Sequence, residues 1–389
     1  GKALNVLHLE RKFPGNTETF IVNQINALPN YKHSVFTVDF LNSLPTIAKV
    51  YHPGSIPFLS DKILRINQVA YFKKQLDIIK PDVVHAHFIT DACVFREVTK
   101  NLKIPKICSC YGYDVSVIPV KFKYFYKHFY KPIIEEYDLF LAMTEEMKTD
   151  LMNMGFPESK IKVHYHGIDT QKFDSVRNYE MLSGEMKILT IASLLEVKGH
   201  ETVLRALSRI KNTTPTLKFH YDIVGGGKLL KPLTQMVSDL GLAEHVTFHG
   251  YLKHNEILKS LIQNANVFVH PSVLTKQNDK EGIPGAIVEA MASGLPVIAT
   301  RHGGIPFVIK DKKTGFLIEE KDDREMSQLL IKLYDYNLRK QVGEQAKIYA
   351  REFLDLHKKA LDLEEIYKSL IFKNSDYVWN SRGHKCRTN

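Results

Sequence analysis

The chain has 389 residues, enough for two domains that each bury a hydrophobic core. Its composition, 44% hydrophobic and 25% charged, is typical of a globular protein, and it has no apolar run long enough for a membrane-spanning helix. The net charge of +10 indicates an anionic partner, either a nucleotide diphosphate or an anionic lipid, whereas no motif predicts nucleic acid binding. Four scattered cysteines predict no disulfide framework, and the first residues lead into a strand rather than a signal peptide, so a cytoplasmic protein is expected.

Strands and helices alternate through the first 170 residues. A strand is predicted at 5–9, and a helix begins near Thr19. The loop between them lies at the carboxyl end of a strand and the amino end of a helix, where open α/β sheets bind ligands. The loop is therefore either a ligand site or a helix-capping turn. Its candidate ligand-binding residues are Gly15, Asn16, Thr17 and Glu18.

Two later strands of this half end in polar side chains. The strand that starts near Pro81 ends at His87, which is either a ligand-site residue or a structural histidine. The strand predicted at 104–110 is followed by Tyr-Gly-Tyr-Asp at 111–114. A tyrosine here is able to hydrogen-bond to a ligand hydroxyl, but it does not titrate near neutral pH as a histidine does.

Lysines alternate with aromatic residues over 119–132, the basic–aromatic segment. This pattern suits a helix that lies on an anionic membrane surface, with the rings in the interface and the lysines near lipid headgroups. The alternative is a buried aromatic helix whose lysines face water. The lysines are Lys121, Lys123, Lys127 and Lys131.

The second half begins with a strand predicted at 187–192, which is followed by Lys198 and Gly199. A strand at 217–224 runs into three glycines, 225–227, which let the backbone approach a ligand closely. Their spacing is not that of a dinucleotide site, which argues against a nicotinamide enzyme.

Residues 279–300 form the most informative stretch. Gly282, Pro284 and Gly285 predict a turn, the following residues predict a short helix, and 297–300 predict a buried strand. The first turn of such a helix offers free N–H groups to an anion such as a diphosphate. Glu281 and Glu289 suit hydroxyl donors; alternatively they are solvated acids of an ordinary helix–strand unit.

This stretch closely resembles the signature of retaining nucleotide-sugar glycosyltransferases of family four, in which two glutamates flank a Gly-x-Pro turn. The resemblance implies that Glu281 contacts the donor sugar and that Glu289 contacts the ribose. The loop at 13–20 is similar to that of a subgroup that builds exopolysaccharides of the colanic-acid type. The family usually has a histidine beside the reacting carbon, where this chain has Tyr111. The catalytic residues implied are Glu281, Tyr111 and Asp114. The acceptor-binding residues implied are Gly15, Asn16, Thr17, Glu18 and His87.

Further donor contacts are implied by the same resemblance. Lys198 matches a cation that binds the diphosphate, but Ser193 stands where the family has an arginine, and Arg301 or Lys228 is a candidate replacement. The family also has glutamate where Phe307 stands. The donor-binding residues implied are Lys198, Gly199, Gly226, Tyr251, Gly282, Ile283, Pro284, Glu289, Gly303 and Gly304.

The expected fold is α/β, with two doubly wound Rossmann-like domains that face across a cleft, the GT-B arrangement. The acceptor domain is expected at 1–174, the donor domain at 187–354, a helix that returns to the first domain at about 355–372, and a loose basic tail at 373–389. The expected protein is a retaining, metal-independent glycosyltransferase without a cofactor. It would lie on the inner face of a bacterial membrane and move a sugar from UDP or GDP to a glycan or polyprenyl-linked acceptor. The alternatives are a non-catalytic binding protein and a phosphorylase.

Overall fold

The computed structural model describes residues 2–15, 19–41, 45–54, 63–253 and 256–373, together with short strands at 377–379 and 385–387. These residues form two compact units. The first comprises Gly1–Ala142, Lys148–Gly167 and Leu356–Asn389, and the second comprises Met143–Met147 and Ile168–Asp355. Residues 168–174, expected in the first domain, are therefore grouped with the second unit.

The first unit is built around one large parallel sheet. Its strands in chain order are β1 (Asn5–Leu9), β2 (Lys12–Phe13), β3 (Lys32–Phe36), β4 (Asp39–Phe40), β5 (Lys49–Tyr51), β6 (Val83–His87), β7 (Lys106–Ser109), β8 (Leu139–Ala142) and β9 (Ile161–Val163). Seven of them form a sheet with the order β5-β3-β1-β6-β7-β8-β9, and β2 pairs with β4 alone. All five residues of β6 are buried, as expected for a central parallel strand that is covered on both faces.

Helices connect the strands of this sheet. They are α1 (Thr19–Asn26), α2 (Ile66–Ile79), α3 (Ile89–Val94), α4 (Arg96–Thr99), α5 (Tyr113–Lys121), α6 (Tyr126–Glu136) and α7 (Glu145–Asn153). The single helix expected for the basic–aromatic segment is wrong, because α5 ends at Lys121 and α6 begins only at Tyr126. Tyr130 is buried and donates its hydroxyl hydrogen to the Asp114 carbonyl.

The second unit has its own parallel sheet, with strands β10 (Glu185–Ile191), β11 (Lys218–Val224), β12 (Val246–Gly250), β13 (Val267–His270), β14 (Val297–Thr300) and β15 (Phe316–Ile318). The strand order is β12-β11-β10-β13-β14-β15. Its helices are α8 (His200–Thr213), α9 (Leu230–Asp239), α10 (Glu256–Asn264), α11 (Gly285–Ala292), α12 (Ile305–Val308), α13 (Asp323–Lys332) and α14 (Tyr336–Phe353).

The connection that enters the second unit is fixed by Arg177. Its guanidinium donates to the carbonyls of Ser293, Ile262 and Ala265 at 2.7–3.0 Å. Because these carbonyls accept from one planar cation, the segment between the two expected domains is anchored to the second unit at Arg177.

The last helix, α15 (Leu356–Ile371), returns to the first unit. Its Leu363, Ile366 and Tyr367 belong to the same hydrophobic core as Val6 of β1 and Ile107 of β7. The tail beyond it is not wholly irregular, because β16 (Tyr377–Trp379) and β17 (Lys385–Arg387) pair antiparallel. In the described part of the chain, no helix combines the length and the apolar character that crossing a membrane requires.

Candidate functional site

The 279–300 stretch folds in the predicted order of loop, helix, turn and strand. Pro284 is extended and precedes α11, which runs from Gly285 to Ala292. Gly294 adopts a left-handed conformation with φ of 78°, which reverses the chain into β14. The two glutamates therefore lie one before the helix and one inside it, as the sequence predicts.

Glu281 is held by a dense set of polar partners. One carboxylate oxygen is paired with the Lys198 ammonium, and the other accepts from His270 Nε2 at 2.8 Å and from the Ser272 hydroxyl. The backbone N–H of Glu281 donates to His302 Nε2 at 3.0 Å. This carboxylate therefore has a fixed position before any ligand binds.

A glycine brings these partners together. Lys198 ends a 3₁₀ turn, and Gly199 follows it with φ of 69°. A Cβ on Gly199 would lie 1.8 Å from the Pro271 carbonyl oxygen, so only glycine allows this close approach. The approach places Lys198 next to the end of β13, where His270 and Ser272 are located.

The environment of Glu281 favours its ionised form. Burial by itself raises the pKa of a carboxyl group, but here His270 and Lys198 outweigh it through charge and hydrogen bonds. The pKa of Glu281 is therefore well below its usual range, and the group is a carboxylate at neutral pH.

Glu289 is in the opposite situation. It is partly buried on α11, and no hydrogen bond or ion pair engages its carboxylate among the residues that the structure describes. Burial raises its pKa to about 7. A carboxyl group that is desolvated but unpaired is a candidate ligand-binding group, because hydroxyl donors would satisfy it.

Gly303 and Gly304 pack directly against the loop that carries Glu281. A Cβ on Gly303, whose φ is 52°, would lie 2.0 Å from the Glu281 carbonyl oxygen. The N–H of Gly304 donates to the Gly282 carbonyl at 2.8 Å. Of these two implied donor-binding residues, Gly304 therefore has its N–H already used within the protein.

The glycine turn after β11 leaves one position open. Gly226 accepts a hydrogen bond from the N–H of Leu194 at 2.9 Å, and a Cβ there would meet nothing within 4 Å. Tyr251, at the end of β12, is 78% exposed. Both positions are accessible, as a nucleotide contact requires.

The structure separates the two candidate replacements for the missing arginine. Arg301 is paired with Asp311 at 3.1 Å and with Glu319 at 2.9 Å. Lys228 is exposed on the glycine turn, and no ion pair involves it within the described ranges. Lys228 is therefore the cation that is available to an added anion.

Asp114 has the contacts of a loop-forming residue. Its buried carboxylate accepts from the backbone N–H groups of Ile89 at 2.9 Å, Gly112 at 3.2 Å and Tyr111 at 3.3 Å. Burial raises its pKa, and these three donors oppose that effect. The catalytic role expected for Asp114 has no support in this geometry, because one carboxylate oxygen accepts from the turn that precedes α5 and the other from the first residue of α3.

His87 is fully buried and is one member of a polar cluster. Its Nδ1 faces the Tyr111 hydroxyl at 2.7 Å, and its Nε2 faces His8 Nδ1 at 2.9 Å. Of the two alternatives for His87, its contacts fit the structural histidine. Gly15 of the expected acceptor loop is buried, and residues 16–18 lie outside the described residues.

The cluster includes a third histidine with the same burial. One ring nitrogen from each of His8, His85 and His87 lies within 4.8 Å of the others. However, the His85 and His87 rings stack with an interplanar angle of 18° and a centroid separation of 4.2 Å. Because imidazole lone pairs lie in the ring plane, stacked rings direct them side by side rather than toward one ion. The arrangement fits a hydrogen-bond network better than a metal site.

Several of these partners were not predicted from the sequence. His270, Ser272 and His302 surround Glu281 but lie on three separate segments of the chain. A signal for the buried cluster was present, since His85 and His87 alternate on one strand and must share a face.

The family models agree with this two-part architecture. Residues 17–172 match the model described as Glycosyltransferase Family 4, and residues 172–349 match the one described as Glycosyl transferases group 1.

Among curated relatives, a putative colanic acid biosynthesis glycosyltransferase of Salmonella typhimurium is 30% identical over 364 residues, which cover 82% of this chain and 88% of the relative. An amylovoran biosynthesis glycosyltransferase of Erwinia amylovora is 30% identical over 291 residues, covering 74% and 69%.

Solved structures show the same fold. A glycosyltransferase from Rickettsia africae has a TM-score of 0.77 at 20% identity, covering 96% of this chain and all of the other. HepE from Anabaena, solved with UDP-glucose, has a TM-score of 0.74 at 18% identity, covering 94% of this chain and all of the other. The chain therefore belongs to the family-four glycosyltransferases, within the exopolysaccharide subgroup, and has the two-Rossmann GT-B fold.

Proposed function

We propose that the protein is a retaining glycosyltransferase that moves a sugar from a nucleotide diphosphate to a hydroxyl group of a lipid-linked or growing surface glycan. One observation carries the proposal. The two acids of the 279–300 stretch differ in state: Glu281 is fixed by its partners and ionised, whereas Glu289 is desolvated and no side chain that the structure describes pairs with its carboxylate.

Glu289 is the proposed ribose ligand. A ribose presents two adjacent hydroxyl groups, and a carboxylate accepts from both through its two oxygens. Hydrogen bonds from a ribose would satisfy the Glu289 carboxylate, which the described residues leave unpaired, and they would favour its ionised form.

Glu281 is the proposed sugar-orienting residue. His270, Ser272 and Lys198 hold its carboxylate in place, so little rearrangement is needed when a sugar hydroxyl approaches. Such preorganisation is the main way in which a protein group contributes to the rate of a reaction at a sugar carbon.

The diphosphate is proposed to lie near Lys198 and Lys228, without a metal ion. An ammonium carries three donor hydrogens, so Lys198 is able to contact Glu281 and a phosphate oxygen together. The N–H of Gly303 is a further candidate donor, since the described residues give it no partner. We propose UDP or GDP as the nucleotide, and the UDP-glucose complex of the Anabaena neighbour supports the former.

The protein is proposed to associate peripherally with an anionic membrane through the basic–aromatic segment. Its four lysines are exposed, and so are four of its rings. The exposed rings are Phe122, Tyr124, Phe125 and Phe129. Exposed rings interleaved with cations suit the interface of an acidic bilayer, where the polyprenyl-linked acceptor would be located.

The decisive experiment combines binding with turnover. The protein is screened by thermal shift against UDP-, GDP-, ADP- and TDP-sugars, and release of the nucleotide diphosphate is then measured with the donor that stabilises it most. We expect Glu289→Ala to abolish the shift and Lys198→Ala to weaken it strongly. Arg301→Ala is the matched control, because Arg301 is paired with acids elsewhere in the unit.

The outcomes separate the alternatives. Binding without nucleotide release in the presence of membrane-extracted acceptors would indicate a binding protein rather than an enzyme. A parental response in both Glu289→Ala and Lys198→Ala would show that the donor binds elsewhere.

A further inference from the structure

A line of hydrogen bonds runs through the buried part of the first unit to its carboxyl edge. His33 Nε2 lies 2.8 Å from the Leu28 carbonyl oxygen, and His33 Nδ1 lies 3.0 Å from His8 Nε2. His8 Nδ1 lies 2.9 Å from His87 Nε2, and His87 Nδ1 lies 2.7 Å from the Tyr111 hydroxyl. Three imidazoles thus connect a backbone carbonyl to a partly exposed phenol.

The carbonyl at the inner end determines the direction of every bond. A carbonyl only accepts, so His33 carries its hydrogen on Nε2 and accepts through Nδ1. His8 must then donate through Nε2 and accept through Nδ1, and His87 must do the same in turn. The last acceptor, Nδ1 of His87, requires Tyr111 to donate its hydroxyl hydrogen inward.

All three rings must be neutral for the hydrogen bonds to run in this direction, and their surroundings make them so. Burial lowers the pKa of His8 well below its usual value, lowers that of His33, and lowers that of His87 to about 3. The nearest ring outside the line, His85, faces two hydroxyl groups, and burial lowers its pKa as well. In these hydrogen bonds the three rings face one another, the Leu28 carbonyl and the Tyr111 hydroxyl, and none of these partners is a carboxylate.

We propose that His8 and His33 are positioning residues for Tyr111. Acting through His87, they keep the Tyr111 hydroxyl hydrogen bonded to His87 Nδ1. The Tyr111 oxygen is then able only to accept a further hydrogen bond. If the proposed function is correct, a sugar hydroxyl that reaches Tyr111 must therefore donate to it.

A matched pair of substitutions at His33 tests the direction. In His33→Asn, the amide oxygen stands where Nδ1 stood and still accepts from His8. In His33→Leu, the acceptor is lost, and a hydrogen on His8 Nε2 would be buried without a partner. His8 and His87 are then each expected to carry their hydrogen on Nδ1 instead of Nε2. As a result, His87 donates to the Tyr111 oxygen and the phenol hydrogen turns outward.

Nitrogen NMR of histidine-labelled protein reads these states directly, with signals assigned from single-histidine substitutions. We expect neutral Nε2–H forms for His8, His33 and His87 in the parent at pH 7. We expect the same for His8 and His87 in His33→Asn, and Nδ1–H forms for both in His33→Leu. A charged ring or an Nδ1–H ring in the parent, or an unchanged His87 in a folded His33→Leu protein, would overturn the proposal.

Kinetic measurements test the positioning role independently of the NMR result. If donor turnover is found, Tyr111→Phe and His33→Leu should each raise KM for the sugar substrate about three- to tenfold, the effect of one hydrogen bond, while His33→Asn keeps the parental KM. Equal KM values in His33→Leu and His33→Asn would remove the positioning role. If no turnover is found, the proposed function fails, and the NMR result still decides the direction of the line.

Discussion

Replacing Glu289 by glutamine should make the protein more stable at alkaline pH. The substitution keeps the shape of the side chain and removes its charge. In the folded protein burial raises the pKa of Glu289 to about 7, whereas the ordinary value is 4.5. The folded state therefore binds this proton more tightly than the unfolded state, so ionisation of Glu289 lowers the free energy of unfolding as pH rises from 4.5 to 7.

The size of the effect follows from the difference between the two pKa values. At 1.36 kcal/mol for each pH unit, the full cost above pH 7 is about 3 kcal/mol, as an upper figure for a partly buried group. A domain of about 150–250 residues gains about 2–4 °C in Tm for each kcal/mol. Glu289→Gln should thus raise the Tm of the second unit by up to about 6–12 °C at pH 8.5.

Scanning calorimetry of parent and variant over pH 5–8.5 provides the measurement. The gain should shrink steadily as pH falls toward 4.5. Glu281→Gln is the matched control with the opposite sign, because the pKa of Glu281 is lowered and its ionised form stabilises the fold. The loss of stability in Glu281→Gln should stay constant over pH 5–8.5 and fade only below pH 4.5. A Glu289→Gln gain that does not depend on pH would refute the reasoning.

Three further results are expected. The nucleotide affinity of the parent should fall about tenfold per pH unit below pH 7, because only ionised Glu289 accepts from both ribose hydroxyls. Calorimetric titration from pH 5.5 to 8 measures this, and an affinity that does not change with pH would show that Glu289 is not involved. Gly303→Ala should cost about 1–3 kcal/mol of stability, since its Cβ would meet a backbone carbonyl, whereas Gly226→Ala, with open space around it, should keep the parental Tm. Changing the four lysines of the basic–aromatic segment to glutamate should abolish binding to acidic vesicles in a flotation assay and leave the Tm within about 2 °C, and undiminished binding would contradict the membrane proposal.

The fold could be predicted because its signals are local. Buried strands such as β6 and β14 read as short apolar runs, and the glycine and proline residues around α11 mark where that helix begins and ends. The order of loop, helix and strand at 279–300 was therefore available without any tertiary information.

The partners of each acid could not be predicted, because they depend on contacts between distant segments. Nothing near Glu281 in the sequence indicates that Lys198 and His270 hold it, whereas no described side chain pairs with the Glu289 carboxylate. The expected role of Asp114 failed for a related reason. A carboxylate beside a glycine reads equally well as a catalytic group or as an acceptor for the N–H groups of its own turn, and the structure gives the second.

The return of α15 to the first unit has a consequence for synthesis on the ribosome. The second unit has its complete sequence once Asp355 has emerged, but the first unit still lacks the helix that carries Tyr367. Until that helix has been synthesised, His85 lacks one hydrogen-bond partner, the Tyr367 hydroxyl, and the apolar surface around Val6 is uncovered. The amino-terminal unit is thus the last to be able to finish folding, and it is the one that a nascent chain would present to chaperones.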